Sequence, residues 1–189
     1  MAYARSNNAQ KLNAPSITAG PARTAADTAV CTPADSPVVI EAGQIIAGTK
    51  LRLRLAGKVT TVITTPGVIQ FLVKLGTTTV FDAGAVLGDT VAAHTDKPFV
   101  CEIELDCRVA GAGTTGKIIG TGLLFSESIL GVTAAMPKAV AVATLPWNAA
   151  PAVGTGFDST VANILTVHST QTVATGSLTV EQWTVEQIG

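Results

Sequence analysis

The sequence predicts an all-β chain, an antiparallel β-sandwich of jelly-roll-like type with an extended N-terminal arm. Three observations carry this. Short apolar segments alternate with polar residues at period two, clusters of Gly and Pro separate them, and no convincing stretch keeps a helical period. The composition agrees. Hydrophobic residues make up 47% of the 189 residues and charged residues only 13%, against about 25% charged in an ordinary globular domain. Thr, Ala, Ser and Gly cover the surface instead, which favours strands and turns. So few charges also imply a surface that is partly packed against other subunits.

Residues 1–36 read as the arm. Pro15, Pro21 and Pro33 punctuate it and no period persists. Its apolar residues Tyr3, Leu12, Ile17 and Val30 are too far apart to bury together, so each is expected to fill a separate pocket on a neighbouring protein. On this reading the arm contributes little to folding and much to attachment. Residues 37–189 then form the sandwich. Lys50–Ile63 reads KLRLRLAGKVTTVI, in which Leu51, Leu53 and Leu55 alternate with Arg52 and Arg54, the mark of a half-buried strand. Pro66 and Gly67 signal a turn, Val68–Leu75 a strand, Gly76 a turn and Thr77–Phe81 a strand. Asp82–Asp96 is a connection rich in Gly, Ala and Asp.

Pro98–Val109 has the clearest alternation. Cys101, Ile103, Leu105, Cys107 and Val109 are expected on the inner face, and Glu102, Glu104, Asp106 and Arg108 on the outer. Gly111–Gly116 turns the chain and Lys117–Phe125 returns. Ala134–Ala143 is the best helical candidate, but Pro137 interrupts it. Val140–Leu145 reads as a strand, 146–156 as a loop, and Val161–His168 and Ser177–Ile188 as the last two strands.

A net charge of −1 removes the electrostatic case for nucleic acid, which needs clustered Lys and Arg, and for an anionic membrane surface. No apolar run approaches the ~18 residues of a spanning helix. The opening MAYARSNNAQ lacks the apolar stretch of a secretory signal. Three cysteines, Cys31, Cys101 and Cys107, make no disulfide framework. Cys101 and Cys107 share one strand about 20 Å apart, and read as small buried apolar residues in a chain made in a reducing cytoplasm.

The motifs that suggest chemistry have plainer readings. Residues 111–117, GAGTTGK, satisfy both GxGxxG and part of a phosphate loop, yet both need a helix to follow. KIIGTGLLF comes next, a strand sequence, with Ile118 where Ser or Thr is required. A glycine-rich hairpin is expected. His94 and His168 are the only histidines, too few for a zinc site or a hydrolase triad without GxSxG. Glu102, Glu104 and Asp106 lie at a spacing that superficially suits a glycosidase pair or calcium. They form an acidic row that matches a basic row of Lys50, Arg52, Arg54 and Lys58. Two opposite rows in a charge-poor chain set register either between adjacent strands of one sheet or between subunits. No catalytic residues, cofactor or metal are expected.

Residues 49–63, TKLRLRLAGKVTTVI, then Gly67–Leu75 and Thr77–Asp82, resemble the core of bacteriophage virion proteins with jelly-roll domains. Phe99–Val109, Lys117–Phe125 and the closing Ile164–Glu186 continue the likeness over most of 38–188, though His168 stands where that pattern has Trp. The resemblance implies a non-enzymatic homotrimer on the virion. Such proteins occur as decoration or cement proteins, head fibres and tail domains; the extended arm, suited to linking neighbouring subunits, decides for a capsid decoration protein that contacts the major capsid protein, and the charge rows offer Arg52, Arg54, Glu102, Glu104 and Asp106 as candidate contacts. The alternative it leaves open is a tail or fibre module that binds a receptor or carbohydrate.

Overall fold

The computed structural model describes residues 9–24, 28–90, 92–129, 142–154, 156–172 and 176–188. Along the chain the strands are β1 (Gln10–Lys11), β2 (Thr28–Val30), β3 (Val38–Ile40), β4 (Lys50–Thr61), β5 (Val68–Leu75), β6 (Thr78–Asp82), β7 (Val86–Leu87), β8 (His94–Val109), β9 (Lys117–Phe125), β10 (Val142–Leu145), β11 (Asn163–Gln171) and β12 (Ser177–Ile188). They make two antiparallel sheets. The first has the order β1-β12-β4-β8-β9-β10 and the second β2-β11-β5-β6, with β3 also on β11 and β7 also on β5. The described residues contain no helix. Of the helical candidate at Ala134–Ala143, residues 134–141 lie outside the described residues, and Val142 and Ala143 begin β10.

The chain pairs with itself in nested fashion. β1 pairs with β12, β2 and β3 with β11, β4 with β8, and β5 with β6. The hairpin β9–β10 extends the first sheet beyond β8. The core lies between the sheets. Leu53, Leu55 and Ile103 are fully buried, and Leu51, Leu105, Phe71 and Leu75 nearly so. Burying one such side chain contributes roughly 1.5–3 kcal/mol, and strict alternation is what gathers them on one face. Cys31, Cys101 and Cys107 are buried free thiols.

The described strands carry four register shifts, of which those in β12 and β8 reset the alternation read from the sequence. In β12 the register shifts between Val180 and Gln182. The extra residue, Glu181, points outward and lets Leu178, Val180, Trp183 and Val185 all face inward. In β8–β9 the register shifts between Cys107 and Val109. Val109, expected on the inner face, is therefore 42% exposed. Pro98, inside β8, is tolerated because the β9 partners begin only at Val100, opposite Phe125. Its carbonyl accepts a bond from the Ser126 hydroxyl at 2.9 Å.

The N-terminal segment is extended in form, as its prolines require, but it does not stand clear of the sandwich. The Leu12 amide donates to Val185 O, the Gly20 amide to Val180 O, and Arg23 bridges Leu178. Asn13, buried, donates from Nδ2 to Trp183 O (3.1 Å) and Ser36 Oγ (2.9 Å), and accepts from the Val185 amide at 3.0 Å. The segment then crosses to the second sheet, where Cys31 N donates to Val167 O. At Gly20 a Cβ would lie 2.1 Å from Cys31 O, so only glycine allows the crossing strands to approach this closely. The described residues on either side of the expected boundary at 36/37 thus belong to the same hydrogen-bonded sheets.

Candidate functional site

The basic and acidic rows are adjacent strands of the first sheet. β4 runs antiparallel to β8, and the register sets Lys50 opposite Asp106, Arg52 opposite Glu104, and Arg54 opposite Glu102. Arg52 Nη2 lies 2.8 Å from Glu104 Oε1, and Arg54 Nε 3.4 Å from Glu102 Oε1. The ladder continues sideways, with Glu186 opposite Arg52 on β12 and Lys11 opposite Glu186 on β1. Hydrogen bonding to Glu104 first, then the surrounding carboxylates, raises the Arg52 guanidinium above its ordinary range. These side chains are about half exposed, so solvent screens each pair and it adds little to stability. The ladder's larger effect is on register, because a slip of one residue would turn every charge inward.

Beyond the ladder the outer faces carry apolar side chains among polar ones such as Gln70, Lys74, Thr121 and Thr166. On the first sheet Leu123, Phe125 and Val142 are 36–38% exposed, with Val142 directly opposite Phe125. On the second, Val39 and Ile164 face each other across β3 and β11 and are about half exposed.

The four apolar arm residues have separate fates. Tyr3 lies outside the described residues. Leu12 is half-buried and packs on the chain's own core. Val30 is 38% exposed, opposite His168. Ile17 is 93% exposed, on a turn held by Asp35. The Asp35 carboxylate accepts from the Ser16 hydroxyl and from the Ile17 and Thr18 amides at 2.6–3.1 Å. The Ser16 hydroxyl first, then the Ile17 amide, holds Asp35 down to about 2.

The glycine-rich stretch is a hairpin followed by β9, a strand. Gly113, at φ +65°, donates its amide to Asp158 Oδ2 at 2.8 Å. The position where a phosphate loop would bind an anion is thus occupied by an internal carboxylate. Among the described residues no group of three His, Cys, Asp or Glu is placed to hold a metal ion. A cleft of about 460 Å³ opens over β6, with Thr79 and Asp82 polar and Val80, Phe81, Ala149 and Val153 apolar. Sequence reasoning missed this cleft, because its two walls, β6 and the loop 146–154, are distant along the chain. His94, inside the connection expected over residues 82–96, is instead part of a strand. His94 begins β8, with Nε2 2.8 Å from Asp89 Oδ2.

The chain matches no protein-family model and no curated protein sequence.

Proposed function

We propose that the chain is a non-enzymatic structural subunit of a bacteriophage particle. In this reading it is a capsid decoration protein that assembles as a homotrimer and binds the major capsid protein on the outside of the shell. The observation that supports it best is the outer surface. A chain with 13% charged residues spends much of that charge on one internal ladder and leaves Val39, Ile164, Leu123, Phe125 and Val142 presented on two faces. Apolar surface rimmed by polar groups is what protein–protein contacts use. The nested pairing of first strand with last and second with second-last supports a jelly roll, the architecture of many shell proteins. The N-terminal segment supports the reading less than its sequence suggested. An unpaired arm of 36 residues would reach roughly 100 Å, whereas residues 10–12 and 28–30 are paired within the sandwich.

The test is electron microscopy of the virus particles with and without this protein, together with light scattering of the purified chain. The expected results are density on the shell that disappears with the protein, and a trimer mass at micromolar concentration. An unchanged shell and a monomer mass would overturn the proposal. The cleft over β6 favours a second reading, a tail or fibre module that binds carbohydrate, since its volume lies within the ~300–1,000 Å³ of small-ligand sites. Saturation-transfer NMR with a panel of oligosaccharides separates the two readings. Saturation transfer that disappears on substitution of Asp82 supports the second.

A further inference from the structure

The two sheets divide the charge unequally. β4 carries four charged side chains and β8 six. Of Asp, Glu, Lys and Arg, the strands of the second sheet hold Lys74 and Asp82 alone. Alternation fixes which residues of that sheet face outward. Leu165, Val167 and Ser169 on β11 are buried, so Ile164, Thr166 and His168 lie on the outer side, with Leu72 and Lys74 of β5 beside them. Val39 and Val30 extend this face across β3 and β2. An antiparallel sheet that faces water ordinarily sets polar residues on that side. Here apolar and hydroxyl side chains take much of their place, and Ile164, Val39 and Val30 are 55%, 46% and 38% exposed.

The one cation and one anion of the face lie on adjacent strands. Lys74 stands opposite Thr79 and Thr166, and Asp82 opposite Leu72. Asp82 Oδ1 accepts from Gln70 Nε2 at 2.6 Å and from the Gly84 amide at 2.8 Å. Among the described residues Lys74 has no carboxylate within ion-pair reach, unlike Arg52, Arg54, Lys58 and Lys97.

We propose that copies of this chain meet on the outer face of the second sheet, with Lys74 of one copy against Asp82 of the next. The proposal rests on the self-assembly read above and names its surface. Copies arranged about a rotation axis bring like residues together near it, and like charges placed so oppose the contact. The first sheet's outer face meets this condition poorly, since Glu102 stands opposite Leu123 and the charge ladder fills the strands beside it. The second sheet's face meets it well. It is almost free of charge, and its two charges have opposite signs, so each finds its complement on a second copy. Burial of Ile164, Val39 and Val30 drives the association, and the charged pair sets how the copies lie.

The experiment follows mass by light scattering over a dilution series of the full chain. Ile164→Glu places a charge within the face. It should raise the concentration at which the oligomer half-dissociates by at least about tenfold. Lys74→Ala and Asp82→Asn should each weaken the oligomer, and the double variant should do no worse than either alone, because one pair carries both effects. Leu123→Glu, on the first sheet's outer face, should leave the mass unchanged. Circular dichroism tracks folding, and Thr166→Arg repeats the first arm should Ile164→Glu unfold. An oligomer that keeps its mass with a charge at these positions but loses binding to particles would overturn this surface alone and give it to the shell. Effects of Lys74→Ala and Asp82→Asn that are absent or simply add would overturn the pairing. A monomer for the unaltered chain at micromolar concentration would overturn the surface together with the homotrimer.

Discussion

Replacing Asn13 by Ala tests the integration of the N-terminal segment most directly. Its side chain makes three hydrogen bonds, two of them to the β12 backbone, at 5% exposure. The substitution leaves the Val185 amide and the Trp183 carbonyl without these partners in a site closed to water. A buried polar group left unsatisfied costs about 1–3 kcal/mol. The Ser36 hydroxyl keeps its bond to Ala14 O, so it adds little. The expected loss is about 2–6 kcal/mol, which in a chain of this size lowers the Tm by about 4–24 °C. Thermal unfolding followed by circular dichroism measures it, with Lys11→Ala on the exposed neighbouring strand as the control, expected to change little. Removing residues 1–24 should lower the Tm further, the reverse of what an independent arm would do. A shift under about 2 °C for Asn13→Ala would refute the reasoning and restore the arm as a separate unit.

Four further outcomes rest on the same geometry. Leu53→Ala, at a fully buried position, should cost about 2–5 kcal/mol in chemical denaturation. Arg52→Ala should shift the midpoint of the same assay far less than Leu53→Ala, because its partner Glu104 is exposed. The three thiols should resist a disulfide reagent at mildly alkaline pH and react once the chain is unfolded. Burial pushes the Cys31 thiol up to about 12, and also raises Cys101 and Cys107. Asp35 titrates in the folded chain at about 2, below its unfolded value. Its contribution is therefore full above the unfolded carboxylate range and is lost as the pH falls toward 2. Asp35→Asn should flatten the acid limb of the stability curve.

The strands with strict alternation were legible in the sequence because a half-buried strand has a period of two. The residues of β4 and β8 that were expected to be buried are buried, except Val109. The charge rows were legible as rows, but only the β4–β8 register decided that they are neighbours within one sheet. The features that escaped sequence reasoning depend on contacts between distant residues. Residues 10–11 have no periodicity of their own and become a strand only because the edge of β12 is there to pair with. A local signal for the β12 bulge was present, since the apolar spacing changes from two to three between Val180 and Trp183. Val109 failed for the related reason that one inserted residue, Arg108, reverses the face of the residue after it. The cleft and the Asp89–His94 contact could not be read at all, as neither joins residues with a recognisable spacing.

The nested pairing also sets an order of events during synthesis. Gln10 pairs with Gln187, so these residues find their partner only after the whole stretch between them has been made. Until then β4, β5 and β8 carry their apolar faces with β12 still missing beside β4 and β11 missing beside β5. Contacts this distant along the chain slow folding and lengthen the time that unpaired strand edges are exposed. Completion of the sandwich therefore waits on β11 and β12.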